Sequence, residues 1–135
     1  MANPDAFLGK WRLIFSEGFG EYMKILGVSM PMRKLGSMAK PDITFSREGD
    51  KYMVKTESTF KTSDFSFKLG EKFEEDMIDG RKTQTLITLD DNNVLTQHQQ
   101  WDGKKNTITR NIVDGKLVME CVMNGVKCIR VYQQV

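Results

Sequence analysis

The sequence is poor in the residues from which most catalytic and metal sites are built. It has one histidine, His98, and two cysteines, Cys121 and Cys128, which lie seven positions apart. That spacing does not form the Cys-x-x-Cys motif of redox and zinc sites. Glycine-rich phosphate loops and the Gly-x-Ser-x-Gly turn of hydrolases are also absent. We therefore expect no enzyme activity, no metal site and no cofactor.

Long apolar runs and an excess of one charge are missing as well. No segment approaches the roughly 20 consecutive apolar residues that cross a bilayer. The N-terminus, Met-Ala-Asn-Pro-Asp, lacks the basic and apolar regions of a secretory signal, which predicts a cytosolic protein. With 20 basic and 18 acidic residues the net charge is +2, too small for nucleic-acid binding through bulk charge. Length and composition fit one globular domain over 1–135.

Most of the chain has the pattern of short strands joined by tight turns. Asp-Gly and Asn-Gly pairs between β-rich segments are the strongest short-range hairpin signal, and turn signals recur here at roughly ten-residue intervals. They stand at Asp79-Gly80, Asp102-Gly103, Asp114-Gly115 and Asn124-Gly125. A meander of this length would expose its edges unless it closed on itself. The pattern therefore predicts an up-and-down β-barrel.

One segment has helical periodicity instead. Between Gly18 and Ala39, apolar residues recur at three- and four-residue steps. Gly27 would end a first short helix, and Ser29 with Pro31 would begin a second. Because helices of this length cannot form a core alone, we expect them to cover one end of the barrel.

The last hairpins define a register for the C-terminal strands. With each Asn-Gly or Asp-Gly pair as a two-residue loop, Met119 pairs with Arg130 on one side and Arg110 on the other. Directly opposed residues share a face of the sheet, so both arginines point to the same side as Tyr132. That face also holds Leu95, Gln97, Gln99, Trp101, Leu117, Cys121, Met123, Val126 and Cys128. We interpret it as the inside of the barrel.

Two inward arginines are costly to bury without a negative partner. No Asp or Glu falls on the inner face of the last three strands. One interpretation is that an acid from the first half of the chain pairs with Arg130. The other is that Arg110, Arg130 and the Tyr132 hydroxyl bind an anionic head group. A carboxylate fits the planar guanidinium forks, and the apolar inward side chains would receive an alkyl tail.

Several short segments, taken in order, match a known family. They are Phe7-Leu8-Gly9-Lys10-Trp11-Arg12-Leu13, Glu21-Tyr22-Met23-Lys24, Arg33-Lys34-Leu35-Gly36, Thr56-Glu57-Ser58-Thr59-Phe60-Lys61, Phe67-Lys68-Leu69-Gly70-Glu71, Trp101-Asp102-Gly103 and Arg130-Val131-Tyr132. With them the chain resembles the cytosolic fatty-acid-binding proteins of the intracellular lipid-binding family, in the branch of the heart, adipocyte and myelin members. The resemblance implies a mainly β fold: a ten-stranded antiparallel up-and-down barrel, or clam, capped by a helix-turn-helix lid over about 18–39.

The resemblance also implies a ligand and a site. One long-chain fatty acid would lie inside, with its carboxylate on Arg110, Arg130 and Tyr132, the trio that the register brings together. By alignment, pocket and portal positions are Phe19, Tyr22, Met23, Pro41, Phe60, Asp79, Arg81 and Gln99, to which the inner face adds Met119. Retinoic-acid carriers keep the same trio, so a retinoid is an alternative ligand. A structural membrane-associated lipid-binding protein is an alternative function.

Three cations, Lys24, Arg33 and Lys34, lie on or beside the lid helices. They are either a solvated helix face or a patch that makes transient contact with anionic membranes during ligand transfer. Family members also use such residues for nuclear import, so the resemblance implies a cytoplasmic carrier with nuclear entry as a further option. We expect a monomer. The register places Cys121 directly opposite Cys128, close enough in principle for a disulfide, and in a reducing compartment we expect free thiols.

Overall fold

A computed structural model describes residues 3–59, 61–77 and 79–135. Within these residues, ten strands form one antiparallel sheet. They are β1 (Gly9–Glu17), β2 (Asp42–Glu48), β3 (Lys51–Glu57), β4 (Thr62–Phe67), β5 (Phe73–Asp76), β6 (Lys82–Leu89), β7 (Leu95–Trp101), β8 (Lys104–Val113), β9 (Lys116–Met123) and β10 (Val126–Gln134). Each strand pairs with its neighbours in the chain except between β4 and β5, and β1 pairs with β10. The predicted ten-stranded up-and-down architecture is confirmed.

Turn residues with positive φ determine the geometry of the C-terminal hairpins. A type I′ turn needs positive φ at both central residues, which Asn-Gly and Asp-Gly accept readily. Asn124 has a φ of 49° and Gly125 a φ of 78°, and the two preceding Asp-Gly turns are alike. They produce the predicted register, in which Met119 stands opposite Arg130 on β10 and opposite Arg110 on β8.

The helical segment lies between β1 and β2, as predicted. Its two helices are α1 (Phe19–Ile25) and α2 (Met30–Met38). Ser29 precedes α2 and Pro31 lies in its first turn, although the Ser29 side chain makes no capping hydrogen bond. Among the described residues, no helix has the length and apolar character needed to cross a bilayer.

Apolar side chains pack at both ends of the barrel. The end away from the helices holds a cluster of Phe7, Trp11, Ile43, Phe45, Tyr52, Val54, Phe67, Ile87, Leu95, Leu117 and Tyr132. At the lid end, the helices contribute Tyr22, Met23, Leu26 and Val28 to a second cluster with Met77, Trp101, Ile108, Cys121, Met123 and Cys128. Residues of both clusters line an internal cavity.

The barrel wall has one gap, because β4 and β5 are the two edges of the sheet and no backbone ladder joins them. Aromatic side chains bridge it. The ring of Phe73 on β5 lies 6.0 Å from that of Phe65 and 6.4 Å from that of Phe67, both on β4. These centroid distances are typical of favourable aromatic pairs. The barrel is therefore nearly closed, with side-chain packing in place of hydrogen bonds at this point.

Candidate functional site

The cavity has a volume of about 490 Å³, within the usual range of small-molecule sites. The predicted ligand residues that line it are Phe19, Tyr22, Met23, Pro41, Gln99, Arg110, Met119, Arg130 and Tyr132. Two predicted pocket residues, Asp79 and Arg81, are not part of the lining. Phe60, expected at the mouth, lies outside the described residues.

Asp79 and Arg81 bind each other and the lid instead. Arg81 Nε donates to the Asp79 carboxylate at 2.8 Å, and Arg81 Nη2 donates to the carbonyl of Leu26 at 2.6 Å. That carbonyl follows α1, where helix carbonyls lack partners and a cation is favourable. Burial raises the pKa of Asp79, but hydrogen bonds from Arg81 and its charge outweigh this and leave the pKa below its ordinary value. The Asp79–Arg81 pair therefore contacts the lid at Leu26 and does not form part of the cavity wall.

The predicted carboxylate trio converges on the cavity from β8 and β10. Arg130 Nε donates to the Tyr132 hydroxyl at 3.3 Å. The guanidinium carbon of Arg130 also lies 3.8 Å from the ring centroid of Phe19, a cation–π contact between the site and α1. Burial raises the pKa of Tyr132, against the opposing effect of Arg130. The phenol therefore stays neutral at physiological pH and can donate a hydrogen bond.

Arg110 belongs to a buried hydrogen-bond network. Its Nη1 donates to Gln97 Oε1 at 2.7 Å, and Gln97 Nε2 donates to Glu75 Oε1, also at 2.7 Å. The same Glu75 oxygen accepts from Thr85 Oγ1 at 2.8 Å and from Gln99 Nε2 at 3.1 Å. Burial lowers the pKa of Arg110, and Glu75 is among the groups that oppose this shift. Gln97 therefore bridges the buried carboxylate of Glu75 and the guanidinium group of Arg110.

The network continues from Gln99 to the lid. Asn106 Nδ2 donates to Gln99 Oε1 at 2.7 Å and also to the hydroxyl of Tyr22 on α1. Burial raises the pKa of Tyr22 strongly. A continuous series of hydrogen bonds therefore links α1 to Arg110 through Gln99, Glu75 and Gln97.

Glu75 is a buried residue of the cavity lining that was not among the predicted site residues. The alternative that an acid from the first half of the chain pairs with Arg130 is not supported. Within the described residues, no carboxylate lies within ion-pair distance of Arg110 or Arg130. The register of β5 on β6 in the structure places Glu75 opposite the buried Thr83, on the inner face.

The lid cations have different environments. Lys24 and Lys34 are exposed, whereas Arg33 is half-buried and its Nη1 donates to the carbonyl of Val28 at 2.6 Å. Large apolar side chains are exposed around them, above all Met30 to 69%, Leu35 to 51% and Met38 to 73%. We call Lys24, Lys34, Met30, Leu35 and Met38 the lid patch.

The two cysteines stand opposite each other on β9 and β10, as the register predicts, and both are free and buried. A hydrogen bond with Cys128 and burial raise the pKa of the Cys121 thiol. In the part of the chain that the structure describes, no group of three or more His, Cys, Asp or Glu side chains could hold a metal ion.

Comparison with known proteins identifies the family of the chain. The model of the lipocalin / cytosolic fatty-acid binding protein family matches residues 8–135. Fatty acid-binding protein 5 of Pygoscelis papua is 70% identical over 130 residues, which cover 96% of this chain and 97% of that protein. The Homo sapiens protein of the same name is 56% identical over 135 residues, covering 100% of this chain and 99% of that protein.

Solved structures give the same result. The Schistosoma mansoni fatty acid binding protein in complex with arachidonic acid superposes with a TM-score of 0.91 at 35% identity, covering 96% of each chain. A family model that spans nearly the whole sequence, together with relatives of this identity, establishes the assignment. The chain belongs to the lipocalin / cytosolic fatty-acid binding protein family.

Proposed function

We propose that the protein is a non-enzymatic carrier that holds one long-chain fatty acid in its cavity, with the carboxylate at Arg110, Arg130 and the Tyr132 hydroxyl. The observation that supports it most is that two buried guanidinium groups converge on the cavity, neither with a carboxylate at ion-pair distance among the described residues. Buried cations are costly unless a partner neutralises them. The names of the relatives, and the arachidonic acid in one related structure, support the ligand class.

The donors of the trio have unused capacity for such a ligand. Within the described residues, Arg130 makes one side-chain hydrogen bond, through Nε, and the residue lines the cavity. Arg110 Nε is buried without a hydrogen-bond partner among those residues. A carboxylate has two acceptor oxygens in a plane, which match donors of this kind. The ligand would therefore complete hydrogen bonds that the protein itself leaves unmade.

The rest of the lining suits an alkyl chain. Apolar side chains from the lid and from several strands surround the space: Phe19, Met23, Leu26, Ile43, Phe65, Met77, Ile108 and Met119. Each methylene removed from water contributes about 0.8 kcal/mol. Methionines adapt their shape easily, so they can fit chains of different bend.

Replacing Arg130 with glutamine tests the carboxylate site. We expect Arg130→Gln to weaken oleate binding by about 1.5–3 kcal/mol, the value of a hydrogen bond to a charged group, in isothermal titration calorimetry. Arg12→Gln is the matched control, because Arg12 points outward on β1 and pairs with Asp42 at 3.0 Å. Unchanged oleate affinity in Arg130→Gln would place the head group elsewhere. Parallel titration with retinoic acid would identify a retinoid carrier if that ligand bound more tightly.

Delivery to membranes is the second part of the proposal. The lid patch combines exposed methionine and leucine side chains with two exposed lysines at the end of the barrel where α1 and α2 lie. Apolar side chains beside cations are typical of surfaces that touch anionic bilayers. The carrier would act in the cytoplasm, the compartment in the family's description, and entry into the nucleus is a further expectation.

A further inference from the structure

The charges buried in the cavity do not cancel. Among the described residues, the buried charged side chains are Glu75, 8% exposed, Arg110, 6% exposed, and Arg130, 3% exposed, and all three line the cavity. Three donors converge on one oxygen of Glu75, so this acid is tied by hydrogen bonds into the wall of the cavity. The three groups together therefore leave one net positive charge in the interior.

Other charged residues at the cavity lie where water screens them. They are Lys61, Asp64 and Asp76, all exposed. Asp76 also pairs with Lys82. Exposed charges act weakly over distance in salt solution, so the buried groups dominate the field at the head-group site.

The two arginines are not equivalent within this set. Glu75 reaches Arg110 through Gln97, with both hydrogen bonds at 2.7 Å. Arg130 instead contacts the ring of Phe19 and the neutral hydroxyl of Tyr132. Glu75 therefore offsets the charge of Arg110, while that of Arg130 is left uncompensated.

We propose that Glu75 is a specificity-determining residue: it limits the interior to one net positive charge and so selects monoanionic head groups over dianionic ones of the same shape. A monoanion balances the buried charges, whereas a dianion leaves a buried negative charge in excess, which is costly. This inference rests on the proposed function, because it takes the head group to lie at Arg110 and Arg130.

Two amphiphiles of similar shape but different charge test this selectivity. Hexadecyl sulfate and hexadecyl phosphate have the same tail and a tetrahedral head, but at about pH 8, above the second phosphate pKa of about 6, the phosphate carries the second negative charge. Both would be titrated below their micelle concentrations, by displacement of a fluorescent fatty acid. We expect the unmodified protein to bind the sulfate more tightly.

Glu75→Gln tests the role of the carboxylate. Its amide oxygen can still accept hydrogen bonds from the network, but the charge is gone. We expect the affinity ratio to shift about tenfold toward the phosphate, as for a change of about 1.4 kcal/mol in charge interaction. Glu74→Gln, the same substitution at an exposed neighbouring position, should leave the ratio unchanged. Equal ratios in the two variants would overturn the proposal.

A measurement on the unmodified protein covers the case in which Glu75→Gln fails to fold. Lowering the pH from about 8 to about 5 converts the phosphate to a monoanion, so its affinity should rise relative to that of the sulfate. A constant ratio would overturn the proposal.

Arg130→Gln distinguishes failure of this inference from failure of the proposed function. Weakened oleate binding in Arg130→Gln supports the head-group site whatever the result for Glu75→Gln. Unchanged oleate binding would contradict the head-group site and, with it, the charge selectivity assigned to Glu75.

Discussion

Tyr22 and Tyr132 are the two phenols of the cavity lining, and burial changes how both ionise. It raises the pKa of each above the ordinary value, and the charge of Arg130 only partly opposes the shift at Tyr132. An unfolded tyrosine ionises near pH 10, at about its reference pKa. Above that pH the unfolded chain therefore releases protons that the folded protein keeps, which favours unfolding.

This linkage predicts an alkaline loss of stability that depends on Tyr132. Below about pH 10 the phenol is neutral in both states, so the free energy of unfolding should be independent of its ionisation; above it, that free energy should fall. Urea denaturation between about pH 9 and pH 11 measures the slope. In Tyr132→Phe the slope should be smaller, because one ionisable group is gone. Identical slopes in the two proteins would show that Tyr132 does not hold its proton through burial.

Glycines in the two lid helices give a test at the scale of an element. A methyl group on Gly36 would lie 3.1 Å from the sulfur of Met23, whereas one on Gly20 would meet only Ser37 Oγ at 3.6 Å. Alanine is favoured over glycine in a helix by up to about 1 kcal/mol. Gly20→Ala should therefore raise the free energy of unfolding, while in Gly36→Ala the displacement of Met23 should cancel most of the gain.

The same pair of variants connects the lid to the ligand. Met23 lines the cavity, so its displacement in Gly36→Ala should also change oleate affinity, and Gly20→Ala should leave that affinity alone. Urea denaturation and calorimetry measure the two quantities. Equal stabilisation in both variants would mean that α2 adjusts without pressing on Met23.

Hairpin chemistry explains which strands could be registered from the sequence. Two-residue turns fixed β8, β9 and β10 correctly, and with them the side on which Arg110, Arg130 and Tyr132 lie. The connection from β5 to β6 is longer: the amide of Met77 donates to the carbonyl of Arg81, and Glu75 pairs with Thr83.

A two-residue loop at Asp79-Gly80 would have paired Glu75 with Gln84, which is exposed. A slip of one residue turns every side chain to the other face of a strand. The inward acid could therefore not be predicted from the turn signal, and with it the polar network that reaches Arg110 was missed. The same sequence signals also could not show that the edges β4 and β5 would be joined by phenylalanine rings.

At the scale of the whole molecule, the two ends of the barrel have different surfaces. The lid patch lies at the end where the helices cover the cavity. At the other end, Lys51 and Lys116 are exposed beside Tyr52 and Leu117, which belong to the cluster away from the helices. An anionic bilayer would therefore meet exposed cations with exposed methionines at the lid end, next to the cavity in which we propose the fatty acid lies.

This arrangement predicts that the lid lysines control transfer rate but not affinity. Each lysine near an anionic surface contributes about 1 kcal/mol, so Lys24→Gln with Lys34→Gln should slow oleate transfer to anionic vesicles by about 30-fold. Oleate affinity should not change, since neither side chain lines the cavity. Arg33 is left in place because it holds the carbonyl of Val28. Lys51→Gln with Lys116→Gln is the control of equal charge, and equal transfer rates in the two double variants, measured by stopped-flow fluorescence, would contradict delivery through the lid.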